Sequence, residues 1–251
     1  MHRLLTKLAF ENLLHSFQPF VFGRRFLGLR LALKYNVPLV FHGGSPWEYG
    51  CASMKKSTGK GFRKEYFYTE GGPESVFLGG VSAKDLTIHH GLHGSDLQPY
   101  LPLTKGEIEH FPLEYHFLGY YVPWDPQEAC YCAVEQTGFE ANPEGTEGTY
   151  SKYAGLDDRF DGFHYYTSFI KFGLARYDGC SPRNLGWEDH PRRRHRPRKA
   201  LRWGIPKKNK EVLRYMKISE ERFFELIDKA RSHHLWKKEN GEWTLRRAVN
   251  L

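Results

Sequence analysis

Ala32-Leu33-Lys34-Tyr35-Asn36-Val37-Pro38-Leu39-Val40-Phe41-His42-Gly43-Gly44-Ser45-Pro46 changes character within a few residues. Upstream of it, residues 24–35 place Phe26, Leu29, Leu31 and Ala32 at helical spacing. Val37-Pro38-Leu39-Val40-Phe41 then reads as a short buried strand, and Gly43-Gly44-Ser45-Pro46 as the turn at its C-terminal end. A helix feeding a hydrophobic strand that ends in glycines is an α/β pattern. In open α/β sheets, ligands lie at such strand ends. Farther upstream, Leu4, Leu5, Leu8, Ala9, Leu13 and Phe17 predict another helix over 2–17.

Downstream, residues 50–80 are rich in Gly, Lys and Ser and read as a loop excursion. Short helical or turn pieces are expected over 82–86 and 94–100, an aromatic strand over 114–121, and a polar loop over 142–149. Residues 163–172 are aromatic and β-branched, which fits a buried helix and is compatible with a strand. Ser219 is a good N-cap for Glu220 and Glu221, after which Phe223, Leu226, Ile227 and Ala230 share one face. Asn240-Gly241 between 235–239 and 242–246 is a strong hairpin signal.

The chain has 251 residues, 40% of them apolar, so it can bury a real core. No apolar run is long enough to span a bilayer, and Met1-His2-Arg3-Leu4-Leu5 lacks the features of a signal peptide; a cytoplasmic protein is expected. Of four cysteines only Cys130 and Cys132 are close, as C-x-C, which is not the usual zinc spacing. No metal site is expected. His89, His90 and His93 lack the helical glutamate of a zincin and read as surface histidines. Ser57-Thr58-Gly59-Lys60 has Met54 where a Walker loop needs glycine.

Three places carry candidate chemistry. Asp157, Asp158 and Asp161 offer carboxylates suited to Mg2+ or to sugar hydroxyls, with His164, Tyr165, Tyr166 and Lys171 nearby for hydrogen bonding and stacking. Helix capping and surface charge are the competing reading of the aspartates. Tyr150, Ser151 and Lys152 suit phosphate or sugar contacts. Glu48 and Tyr49 follow the first strand's end, where a carboxylate can orient a ligand.

Four tracts resemble a known family: residues 15–23 (His15-Ser16-Phe17-Gln18-Pro19 onward), 32–50 (the opening stretch through Trp47-Glu48-Tyr49-Gly50), 118–126 (Leu118-Gly119-Tyr120-Tyr121-Val122-Pro123-Trp124-Asp125-Pro126), and the long run 147–173 containing Asp157-Asp158-Arg159-Phe160-Asp161-Gly162-Phe163-His164-Tyr165-Tyr166. Together they are similar to the N-acetyl sugar amidotransferases of lipopolysaccharide and surface-sugar biosynthesis, of the PP-loop ATP pyrophosphatase class. The resemblance covers most of 2–178 and resumes over 206–247.

It implies an α/β fold: the C-terminal part of a PP-loop (adenine nucleotide hydrolase-like) parallel sheet, with a helical, aromatic-rich C-terminal region. The implied segments are 1–50, a remnant of the nucleotide-binding domain; 51–179, a substrate and catalytic region; 180–205, basic and poorly ordered; and 206–251, a helix and hairpin. The implied reaction uses ATP and Mg2+ to activate a sugar acetamido group as an adenylate, which ammonia converts to acetamidino. The implied partners are glutaminase and cyclase-like subunits that supply the ammonia. Glu48, Asp157, Asp158 and Asp161 become the catalytic candidates; Tyr49, Tyr150, Ser151, Lys152, His164, Tyr165 and Lys171 become substrate contacts.

The sequence departs from this pattern at two points. No S-G-G-x-D-S loop is present, so an N-terminally truncated chain, impaired alone, is expected. Gly44 and Ser45 stand where the family carries an acidic residue and an amide.

The net charge of +8 is concentrated locally: residues 183–202 hold seven Arg and one Lys against Glu188 and Asp189. Residues 180–205 do not resemble the family. One legal codon choice for 185–194, read one base later, encodes LDGKITREEG, which does resemble it and contains a helix-opening capping box. A frameshifted segment, a nucleic-acid-binding arm and a divergent insertion are the open readings. For the whole chain, the alternatives to an amidotransferase fragment are a non-catalytic binding subunit that pairs with a separate PP-loop chain, and a nucleic-acid-binding protein.

Overall fold

A computed structural model describes residues 1–43, 59–71, 75–122, 126–145, 147, 152–173 and 204–246. Over these the protein is a mixed α/β structure that divides into two compact units. The first comprises residues 1–9 and 18–125, the second residues 10–17 and 126–251. The division falls inside the stretch that sequence reading grouped as 51–179.

Helix α1 (His2–Leu13) contributes to both. In the first unit its Leu5 joins a core with Leu78, Leu86, Leu97 and Tyr100. Helix α2 (Gln18–Lys34) starts earlier than the expected position 24, because Pro19 is tolerated in a helix's first turn. It buries Phe26, Leu29 and Ala32 and feeds strand β1 (Leu39–His42).

The loop excursion contains strand β2 (Gly61–Phe62) and a 3-10 turn, Lys64–Tyr66. Strands β3 (Phe77–Leu78) and β4 (Val81–Ser82) make a small antiparallel pair. Ser82 then caps α3 (Ala83–His90), its hydroxyl accepting from the Asp85 N–H at 3.0 Å. Short helices α4 (Gly94–Leu97) and α5 (Lys105–Ile108) follow, the latter opened by a Thr104–Glu107 capping box. Strand β5 (Glu114–Phe117) runs directly into α6 (Leu118–Tyr121), so only the first half of the expected strand over 114–121 is extended.

The main sheet has the order β1-β5-β2, with β1 parallel to β5 and β2 antiparallel to it. Tyr115 and Phe117 of β5 face inward, and Tyr115 packs in a core with Leu29, Phe67, Leu103 and Ile108. Strand β1 lies at the sheet's edge, with Leu39 44% and Phe41 53% exposed. Arg30 ties α2 to the following chain by donating to the Leu101 and Pro102 carbonyls, each at 3.2 Å.

The second unit contains α7 (Pro126–Thr137), α8 (Asp161–Phe172), α9 (Asn209–Met216), α10 (Glu220–Lys229) and the antiparallel hairpin β6 (Trp236–Glu239)–β7 (Glu242–Leu245). Helix α8 settles the ambiguity over 163–172 in favour of a helix. It buries Phe163, Tyr166, Thr167, Phe169 and Ile170, which pack with Phe10, Leu213, Phe223 and Trp236. The Trp236 indole N–H donates to the Ile170 carbonyl at 2.8 Å and pins the hairpin to α8. Asn240 and Gly241 both take positive φ, at 50° and 86°, as the hairpin turn requires. No helix among the described residues is long and apolar enough to cross a membrane.

Candidate functional site

Between α7 and α8 the chain takes an irregular path, closed where the Asn142 N–H donates to the Lys152 carbonyl at 2.8 Å. At its end, Asp158 Oδ1 accepts from the Phe160 N–H at 2.8 Å. This side-chain turn bends the backbone into α8. Asp161 is the helix's first residue, where a carboxylate interacts favourably with the helix dipole. The helix's cap residue, Phe160, makes no side-chain capping hydrogen bond, and both Asp158 and Asp161 line an open cleft.

That cleft, of about 280 Å³, is lined by Asp158 and Asp161 together with Glu144, Glu147, Arg159, Lys207 and Lys208. Glu147 Oε1 accepts from the Lys207 backbone N–H at 2.7 Å, and Glu144 pairs with the Lys207 ammonium at 2.7 Å. The hydrogen bond and charge of Lys207 hold the Glu144 carboxyl below its ordinary pKa, and the same pair raises Lys207. Arg159 pairs with Glu211.

Two glycines let the carboxylates in. A Cβ at Gly162 would meet Glu147 Oε2, and one at Gly155 would meet Asp161 Oδ2. Gly155 also has φ +62°, which side-chain-bearing residues rarely adopt. The cleft thus presents fixed carboxylate acceptors beside lysine donors, a set suited to a ligand rich in hydroxyl and amide N–H groups. Among the described residues no three His, Cys, Asp or Glu side chains are grouped to hold a metal. Asp158 is a hydrogen-bond acceptor here, taking the Phe160 N–H.

The expected single site divides. Asp157 and Lys152 are exposed and do not line the cleft. Tyr166 is a core residue, 5% exposed, its hydroxyl pKa raised by burial. His164 and Lys171 instead belong to a second polar cluster, with residues 13–17. The Lys171 ammonium donates to the Leu13 carbonyl at 2.8 Å, and burial lowers its pKa. The His164 ring lies 5.3 Å from that of His15 and edge-on to Phe17 at 4.7 Å, and Tyr165 packs beside it. Ser16 is buried nearby in the chain, its hydroxyl without a hydrogen-bond partner. Burial, then the Lys171 charge, hold His15 below its ordinary pKa.

His15 and Ser16 were not among the candidate site residues, although they sit in a quoted tract. Their one available signal was that tract, which the fold brings against His164. Glu48, Tyr49, Tyr150 and Ser151 lie outside the described residues. His89, His90 and His93 are exposed at and just beyond the end of α3.

At the C-terminal end of β1 the described residues leave a crevice of about 10 Å³, lined by Arg24, Arg25, His42, Tyr66 and neighbouring rings. Among the described residues that is room for one water-sized group. The sequence has no S-G-G-x-D-S loop. No family model and no curated protein matches the chain.

Proposed function

We propose that this chain carries the acetamido-sugar site of an ATP-dependent N-acetyl sugar amidotransferase of lipopolysaccharide and surface-polysaccharide synthesis, on the C-terminal part of a PP-loop type sheet. It is impaired alone, because the ATP loop is not in it. The observation that carries this reading is the cleft. The tract most specific to the family, 147–173, supplies its carboxylates Glu147, Asp158 and Asp161. In this role Asp161 and Glu147 accept from the sugar hydroxyls and the acetamido N–H, while Lys207 and Lys208 face the anionic side of a nucleotide-linked sugar. Ammonia arrives from glutaminase and cyclase-like partners, and the activating chemistry from a polypeptide that holds ATP and Mg2+.

The test is saturation-transfer NMR with UDP-N-acetylglucosamine and with free N-acetylglucosamine. At least one should bind, and Asp161→Asn should weaken that binding about tenfold, the loss expected for one hydrogen bond to a charged group. If neither probe binds, or Asp161→Asn changes nothing, the reading is wrong.

A second reading, a non-catalytic binding subunit that pairs with a separate PP-loop chain, is favoured by the open edge of β1. Parallel edges are normally covered, and Leu39 and Phe41 are exposed there. On this reading, Phe41→Glu abolishes co-purification with a PP-loop chain while leaving the circular dichroism spectrum unchanged. Retained co-purification would count against it.

A further inference from the structure

Strand β5 alternates across its sheet: Tyr115 and Phe117 point into the core, so Glu114 and His116 share the outer face. The chain then turns directly into α6, whose last residue, Tyr121, comes back over His116 with the two rings 5.7 Å apart. The result is a relay of carboxylate, imidazole and phenol. The Tyr121 hydroxyl lies 2.8 Å from His116 Nδ1, and His116 Nε2 lies 3.3 Å from a Glu114 carboxylate oxygen. An ionised carboxylate can only accept, so Glu114 selects the imidazole tautomer with its hydrogen on Nε2. Nδ1 is then the acceptor, and the phenol donates to it. Phe41, the register partner of His116 on β1, makes T-shaped contacts with both rings at 5.9 Å and limits their rotation.

This is the order of groups that activates a hydroxyl nucleophile: the hydroxyl within hydrogen-bond reach of a base, and the base oriented by a third group. The His116 side chain is mostly covered, at 20% exposure, whereas Tyr121 is 46% exposed and open to a reagent. We propose that Tyr121 is a nucleophilic tyrosine that accepts an acyl group from a small activated acyl donor, with His116 as its general base and Glu114 as the residue that positions the imidazole. In this step the phenol oxygen bonds to the acyl carbon, its proton passes to His116 Nδ1, and the bond to the leaving group breaks. His116 then gives that proton to the leaving group or to solvent. A phenol is itself a good leaving group, so the donor is an acyl-imidazole, an acyl phosphate or an aryl ester rather than an amide. The site lies wholly in the first unit and does not depend on what the acidic cleft binds.

The probe is N-acetylimidazole, followed by peptide mass spectrometry of the natural chain at short times. Tyr120 is the internal reference: it is the neighbouring residue, is 53% exposed, and has no imidazole partner among the described residues. On exposure alone the two tyrosines would react alike. With His116 taking the proton, Tyr121 should acetylate at least about tenfold faster, since general-base assistance gives about 10²–10⁴-fold in enzymes. Neutral hydroxylamine should remove the label, as it does from an acetylated phenol and not from an acetylated lysine. His116→Gln should bring Tyr121 down to the rate of Tyr120. In imidazole nitrogen NMR, His116 should carry its hydrogen on Nε2, and Glu114→Ala should lose that tautomer preference and slow Tyr121 severalfold. Equal labelling of Tyr120 and Tyr121 in the natural chain overturns the proposal without recourse to any variant, as does an unchanged Tyr121 rate in a folded His116→Gln chain. A tautomer that ignores Glu114→Ala overturns the part given to Glu114.

Discussion

An alanine at Gly162 would set a methyl group where Glu147 Oε2 now lies, and the same change at Gly155 would collide with Asp161. Gly162→Ala should therefore cost about 1–3 kcal/mol in a urea melt, the usual range for overpacking, and weaken acetamido-sugar binding as Glu147 is pushed aside. Gly155→Ala adds the left-handed backbone penalty of about 1–2 kcal/mol and should be the worse of the two. Neither dependence was legible in the sequence, because a glycine's neighbours across a loop are set by the fold. Asp158 and Asp161 were legible as a pair of acids but not as cleft residues, since Glu144 and Glu147 reach them across an irregular loop and Lys207 comes from a distant position. The His15–His164 contact carries a pH signature. Its folded pKa is depressed, so the stability that depends on neutral His15 is complete above the unfolded value near 6.5 and is lost as pH falls through the folded value. His15→Asn should flatten the fall in stability as pH drops below about 6.5, by at most about 1.4 kcal/mol per pH unit. An unchanged slope in denaturant melts at several pH values would show that His15 does not contribute.

At the scale of elements, the signals that survived into the structure are those with their own local chemistry. Ser219 caps α10 by accepting from the Arg222 N–H at 3.2 Å, so Ser219→Ala should cost about 1 kcal/mol in the same melt. Asn240-Gly241 set the hairpin register, which pairs Glu239 with Glu242. Helix α8 read as buried from its rings alone, and the leucines of α1 and the apolar positions of α2 gave their helices away. Helices α7 and α9 were not anticipated. Most of α7 faces water, and none of its described side chains is fully buried, so it has little apolar periodicity to read. Helix α9 buries Val212, Leu213 and Met216 but is only 8 residues long, about two turns, too short for a period to stand out. The pairing of β1 with β5, which joins residues 39–42 to 114–117, is a long-range choice that neither segment announces.

At the scale of the whole molecule, the two units share one helix. Leu5 of α1 is fully buried in a cluster with Leu78, Leu86 and Leu97, whereas Phe10 is fully buried with Phe163 and Phe223. Leu5→Ala and Phe10→Ala should each cost several kcal/mol, about 2–5, but in different places. Hydrogen exchange should quicken over 83–97 in the first variant and over 209–229 in the second. Equal quickening in both would mean that the units melt together. The sequence suggested helix 2–17 with Leu5 on its apolar face, but Phe10 was not read as part of that face, and nothing in the spacing assigns the two residues to separate cores.

The shared helix also bears on the order of events during synthesis. Phe10 is among the first residues made, but Phe223, stacked against it at 6.0 Å, is among the last. Leu5 meets its partners when less than half the chain has been translated, whereas the far end of the same helix must wait with an apolar face uncovered. This is a contact of very high order, the kind that slows folding and leaves a nascent chain dependent on holdase chaperones.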